Sequence, residues 1–487
     1  MKSRVWIKEQ RENVYFVLLG VFLTGLACSK FLMSVSFIGY TLVFLLFGDY
    51  ALFRDRWLTN KKWISVLLLL FLAHVISLCW TQDLSAGWNA IRVRLSFFAL
   101  PVLISTTLTW DKDRIVRVFK FLMLLLAVLM VLNGVRFLYL LNGQKALDIR
   151  QLSWFGSHIR FGILVVFSIA LCLHFALKKL LSKGYAWSYI VLATAYVLYS
   201  QTFSAIGCLL ITFGYFGTMT LLSKQWIKVL FIGLLALGLC VSWFVVRDFL
   251  KAPEACGSFK DVGEASMAWN RKSKVDFNGN DRKGQVLQRT CERYLCSLGK
   301  PLTPSAVQRL EKEAIIDIEN GFTDPYSAKG NMLGRYFEVK YEFHLAKDPN
   351  GHSLLQRFIY WETAVKLIEQ NPLWGVGIGD IDRSMKKAYE NTALLAENQK
   401  RPHNMFLTTW LGCGLIGVGL LLGLIIWQLF LGLQEKQGLK ALLMLIFLFS
   451  MMLEDSLETQ AGASFTGLFL GLLLSKEALA IWSLKND

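Results

Sequence analysis

The chain has 487 residues, 54% hydrophobic and 18% charged, with a mean hydropathy of +0.45; soluble domains carry about 25% charged residues, so an ordinary cytosolic enzyme is excluded. Phenylalanine (35) and tryptophan (16) are abundant and proline (8) is scarce, which suits long membrane helices with aromatic belts and excludes a collagenous or disordered chain. The formal charge of +17 allows nucleic acid or an anionic membrane as partner, and the placement of the charges decides between them.

A spanning helix needs about 20 mostly apolar residues. Such windows fall at 14–29, 32–48, 63–80, 95–109, 118–141, 161–177, 186–202, 204–223, 227–246, 404–433, 441–454 and 461–480. They predict an all-α polytopic membrane protein of about 12 transmembrane helices: nine within 1–246, three within 404–487, and a hydrophilic segment, 247–403, between them. Residues 1–13 are basic and precede an apolar run, as in a signal peptide, but no small-residue cleavage signature comes before Lys30, so the first helix is expected to stay uncleaved.

Basic residues stay on the cytoplasmic side. They crowd alternate connections (Lys2, Arg4, Lys8 and Arg11; Arg54, Arg56, Lys61 and Lys62; Lys112, Arg114, Arg117 and Lys120) and are sparse in the others, where Lys30, Arg92, Arg94, Arg136, Lys145, Arg150 and Arg160 stand. Both termini are therefore expected in the cytoplasm and 247–403 outside. That segment carries 24 Lys and Arg against 21 Asp and Glu, which leaves +14 of the +17 in the membrane part and its connections. Topology accounts for most of the charge, and nucleic acid is not expected.

Within the outer segment, residues 305–320 read as one helix, with Val307, Leu310, Ala314 and Ile315 at helical spacing. A second helix runs from Ser353 to Gln370 and stops at Asn371-Pro372. On it Arg357 and Trp361 share a face, and Phe358, Trp361, Val365, Ile368 and Trp374 predict an apolar side against the membrane. Residues 251–290, rich in Gly, Asn, Lys and Asp, read as a mobile loop. Of the cysteines, Cys256, Cys291 and Cys296 lie in this segment; in an oxidising compartment one pair would form a disulfide and leave the third free.

His403, in Arg401-Pro402-His403-Asn404, stands where the outer segment meets the tenth span; an imidazole there can accept a proton near neutral pH, and Asn404 could orient it or a ligand. The bland alternative is an interfacial histidine without a role. Arg357 suits bidentate binding of phosphate oxygens at headgroup level, or else snorkels to headgroups. Arg160, in Ser157-His158-Ile159-Arg160, and Arg92 and Arg94 run against the positive-inside bias, which invites an anionic ligand. Three features are declined. Gly375-Val376-Gly377-Ile378-Gly379 reads as a turn, Asp380 and Asp382 are too few oxygens for a metal, and Glu454, Asp455 and Glu458 read as a solvated loop, with a polar contact into a cavity as the alternative.

These pieces together resemble the O-antigen ligase family: twelve spans with one large segment before the tenth, Arg357, Trp361, Pro372, Gly375 and Gly377, then His403-Asn404 followed by Gly412, Gly414 and Gly417. The stretch 297–357, with Ile318-Glu319-Asn320-Gly321 and Gly351-His352-Ser353, is similar to Bacteroidetes members, as is 454–462. The resemblance implies a GT-C-like, metal-independent inverting glycosyltransferase of the bacterial inner membrane, without cofactor, working at the periplasmic face. It would move a glycan from undecaprenyl diphosphate to a lipid A-core hydroxyl among membrane lipids. His403 and Arg357 map onto the family's catalytic positions. Either Arg160, Arg94 or Arg335 would supply the second diphosphate contact or the diphosphate would be held differently, because the Ser-Arg pair of many relatives is replaced here by Ser200-Gln201-Thr202-Phe203; Arg160 ranks first for its context. Asn404, Trp361 and His158 would support the site. An O-antigen polymerase or a protein O-oligosaccharyltransferase would share the donor, whereas a lipid-linked sugar transporter would leave His403 without work.

Overall fold

A computed structural model describes residues 2–143, 149–221, 247–248, 258–328, 334, 336–337, 339–340, 349–350, 353–390, 392–435 and 437–482. Among these the chain is helical, and no strand forms beyond one bridge between Asn280 and Val286. The membrane part begins with α1 (Lys2–Cys28), α2 (Lys30–Phe47), α3 (Tyr50–Ile76), α4 (Leu84–Thr107), α5 (Lys112–Gly143), α6 (His158–Leu177), α7 (Lys183–Ser200) and α8 (Phe203–Leu221). Seven helices among the described residues are long and apolar enough to cross a membrane, and three shorter apolar ones accompany them. The ninth expected span, 227–246, lies outside the described residues.

Several helices start before their apolar windows: α3 at Tyr50 and α4 at Leu84, each on an aspartate cap, Asp49 accepting the Leu52 N–H and Asp83 the Ala86 N–H. Those caps satisfy amides that a helix leaves unpaired, so the polar first turns extend the helices beyond the hydrophobic stretch.

The outer segment has its own small core. Phe259, Trp269, Phe277, Leu287, Tyr294, Leu295, Val307 and Ile318 bury together, around α9 (Val262–Asn270), α10 (Leu287–Ser297) and α11 (Lys312–Glu319). Two expectations fail here. The stretch expected to be a mobile loop is ordered from 258 onward: Trp269 and Phe277 are fully buried, Asp261 caps α9, and Asp281 accepts the Lys283 and Gln285 N–H groups and the Thr290 hydroxyl. The single helix expected at 305–320 is two, Pro304–Gln308 and α11, because the chain bends at 309–311 to send Leu310 and Ile315 into the same core. Cys296 is disulfide-bonded, and Cys291 is a buried free thiol, pushed up to about 12 by burial and by Glu292 beside it.

Then follow α12 (Ser353–Gln370), α13 (Ile381–Tyr389), α14 (Met405–Gln434), α15 (Gly438–Leu453) and α16 (Gln460–Leu474). α16 packs backbone to backbone on α4: a Cβ on Gly467 would fall 2.5 Å from the Ser96 carbonyl, and one on Gly471 2.8 Å from Pro101 Cα. This is the small-residue packing that lets membrane helices touch through their backbones. α12 divides its apolar residues. Tyr360, Ala364 and Ile368 bury against α13 and α14, while Phe358, Val365 and Trp374 stay exposed; the expected membrane side therefore lacks Ile368, which the core claims.

Candidate active site

Antiparallel connectivity gathers the start of α6, the start of α14 and the connection between α15 and α16 at one end of the bundle. Two glycine-dependent turns fix α12 there. After Asn371-Pro372 the chain reverses through Gly375 (φ 72°) and Gly377 (φ 95°), and Val376 N–H donates to the Leu411 carbonyl (2.6 Å). α14 is broken at Gly414 (φ 66°, ψ −167°), where a Cβ would lie 1.9 Å from the Leu373 carbonyl oxygen. Left-handed backbone and close approach together require glycine. Gly375, Gly377 and Gly414 thus dock a turn into a helix break, and the glycine-rich stretch is no phosphate cradle.

The segment leading to His403 is gripped residue by residue. Tyr360 OH donates to the Asn398 carbonyl, Tyr389 OH to the Lys400 carbonyl (2.7 Å), and Trp361 Nε1 to the Pro402 carbonyl (2.8 Å). Arg401 forms a two-pronged pair with Asp382 (2.6 and 2.8 Å) and also reaches Glu458. Burial disfavours both charges of the Arg401–Asp382 pair, yet their mutual hydrogen bonds prevail, holding the Asp382 carboxyl below its usual range and Arg401 above its own. His403 itself is left-handed (φ 51°). Its N–H donates to Asp455 Oδ2 (2.9 Å), and its Nδ1 stands 4.0 Å from the same oxygen; Asp455 Oδ1 accepts the Thr408 hydroxyl (2.6 Å).

Arg357, on α12, donates to Glu454 Oε1 (2.9 Å). Glu454 and Asp455 line a cleft whose opposite wall is α6, with Arg160, Ile159 and Ile163. Arg160 thus shares the cleft with Arg357's partner, and His158 opens the same helix two residues earlier.

Other expected residues sit elsewhere. Arg94 is 1% exposed and ion-paired to Glu458, which braces the 454–459 connection. Arg92 is exposed and donates to Asn89 (2.7 Å). Asn404 does not orient the imidazole; it caps α14, accepting the Phe406 and Leu407 N–H groups (3.0 and 3.1 Å). Arg335 lies outside the described residues. Asp380 and Asp382 part company: Asp380 accepts the Gln82 and Asp83 N–H groups (2.6 and 3.1 Å), and Asp382 pairs with Arg401. Among the described residues no group of three or more His, Cys, Asp or Glu could hold a metal.

The larger correction concerns Glu454, Asp455 and Glu458. They form no solvated loop: each carboxylate engages the site, through Arg357, through His403 and Thr408, and through Arg94 with Arg401. Their clustering next to a span, opposite unexplained arginines, was the available signal.

The fold and site define a polytopic helical membrane protein that brings arginines, carboxylates and a histidine together at one end of its bundle. Residues 188–422 match the family model described as O-Antigen ligase, which supports the O-antigen ligase family for this chain. That family comprises ligase and polymerase-type enzymes, which makes this chain a glycosyltransferase-type enzyme. No curated protein matches the chain.

Proposed function

We propose that this chain is an O-antigen ligase, an inverting and metal-independent glycosyltransferase of the bacterial inner membrane. Its site end, with 247–403, faces the periplasm, and both termini face the cytoplasm. It takes a glycan from undecaprenyl diphosphate and joins it to a lipid A-core hydroxyl. The observation that carries this reading is an aspartate-held histidine at the same end of the bundle as a cleft lined by Arg160 and by Glu454, the partner of Arg357.

In this mechanism the acceptor hydroxyl attacks the anomeric carbon of the donor sugar and gives its proton to the His403 imidazole. The bond from that carbon to the diphosphate oxygen breaks, and the electron pair leaves with the lipid diphosphate. Arg357 and Arg160 neutralise the charge that gathers on the leaving group. Asp455 fixes the backbone of His403 and, 4.0 Å away, favours the imidazolium that forms. Trp361 holds the preceding carbonyl in place.

A deletion strain tests the acceptor. Lipopolysaccharide lacking O-antigen, with long lipid-linked chains accumulating, is the expected result; cores capped with single repeats would indicate a polymerase instead. Purified protein supplied with lipid-linked donor and core acceptor is expected to form product, and the absence of any transfer would overturn the enzyme reading.

A further inference from the structure

On the donor reading above, a diphosphate held by Arg357 and Arg160 has to displace Glu454. Its Oε1 accepts from Arg357 Nη2 at 2.9 Å, with 25% and 18% of the two side chains exposed, and it lines the cleft that Arg160 also lines. A carboxylate paired with the α12 guanidinium, in a cleft it shares with the Arg160 guanidinium of α6, has the charge sign of one phosphate group. Its backbone is anchored, because the Glu454 N–H donates to the Ser450 carbonyl (2.9 Å) and its carbonyl accepts the Ser456 N–H (2.9 Å). The side chain is the part free to swing. The next residue holds His403, so Glu454 can leave Arg357 without disturbing the base.

The geometry points to Glu454 as a specificity-determining residue that keeps the arginine seat closed to single phosphodiesters and yields it to a diphosphate. This rests on the donor reading above and adds selectivity to it. The outer leaflet is crowded with lipid headgroups bearing one phosphodiester charge. Exchanging Glu454 for such a headgroup replaces one negative charge by another and gains nothing. A glycosyl lipid diphosphate brings a charge on each phosphate, matching Arg357 and Arg160 together, and this surplus displaces the carboxylate.

The test uses the full chain in nanodiscs with farnesyl diphosphate as probe, first in phosphatidylcholine and then with phosphatidylglycerol added. Wild type is expected to bind the probe equally in both. Glu454→Gln, which keeps the shape and removes the charge, is expected to lose about tenfold in apparent affinity once phosphatidylglycerol is present, a change of the size one charge-assisted contact supplies. Glu454→Asp, which keeps the charge, should retain most of the resistance. Wild type already sensitive to phosphatidylglycerol overturns the proposal without recourse to any variant, as does a Gln variant as resistant as wild type. If wild type binds no farnesyl diphosphate in phosphatidylcholine, the donor reading falls and this proposal falls with it. Probe binding with unchanged selectivity in Glu454→Gln removes the Glu454 role alone.

Discussion

Replacing Asp455 by asparagine isolates the histidine–aspartate unit. The side chain is nearly isosteric, so the packing of the 454–459 connection on α14 persists, including buried Leu457, whose N–H meets Met405 Sδ. What goes is the negative charge 4.0 Å from His403 Nδ1 and one of two acceptor oxygens. At an effective dielectric of about 20, unit charges at that distance interact by about 4 kcal/mol. The imidazole is 34% exposed, so solvent screening brings the expected loss to roughly 1.5–3 kcal/mol. In transfer assays with purified protein, kcat should fall about 10- to 100-fold while the KM for donor stays within about twofold, because Asp455 acts on the forming imidazolium and not on the diphosphate. The same substitution in a His403→Ala background should cost almost nothing, since the group it serves is gone. Wild-type kcat in Asp455→Asn, or an equal loss in both backgrounds, would refute the reasoning.

His403→Ala should cut kcat about 10²- to 10⁴-fold, leaving a measurable residual rate, and leave farnesyl diphosphate binding intact, whereas Arg357→Ala should weaken both; Arg357→Lys should recover little, because an ammonium cannot present the planar fork. Gly414→Ala places a Cβ against the Leu373 carbonyl and should lower the thermal midpoint and the yield of folded protein, by several kcal/mol if the break cannot shift. The Asp382 carboxyl is held below its usual range, so its stabilising contribution is complete above the unfolded carboxylate value of about 4 and fades as pH falls through the lower folded value. The difference in thermal midpoint between wild type and Asp382→Asn should hold steady from pH 8 to about 5 and shrink below about 4. Native Cys291 should resist maleimide at pH 7.5 and react after unfolding, since its thiol is buried and pushed up to about 12.

The helical membrane architecture is legible in the sequence because lipid leaves so few alternatives to a long apolar helix. α12 is legible for a local reason, its stop at Asn371-Pro372, and Arg357 and His403 stand out by motif. The carboxylate partners do not, because pairing is decided far along the chain: Arg357 meets Glu454 across 97 positions and Arg94 meets Glu458 across 364. A run of acids between two spans looks the same in sequence whether water or arginine surrounds it. The ordered start of the outer segment was hidden differently. Its polar composition outweighs a few large residues, yet Trp269 and Phe277 are enough to close a small core once Cys291, Leu295 and Val307 arrive from later in the chain. Arg94 shows the converse: its odd position in the sequence signals a need for an anion, and the anion is internal.

The break at Gly414 divides α14 into a short post, from Met405 to Cys413, and a long shaft with one buried and one exposed side. The post is cemented to α12 and to the turn at 372–376, and His403 and Asn404 stand at its head. Bilayers differ in thickness from place to place, and a spanning helix answers by tilting. An unbroken rod would carry that tilt into the site. With a joint beneath the post, the shaft can follow the bilayer while the distance from His403 to Arg357 stays set by protein alone, so catalysis should vary little among lipids of different chain length.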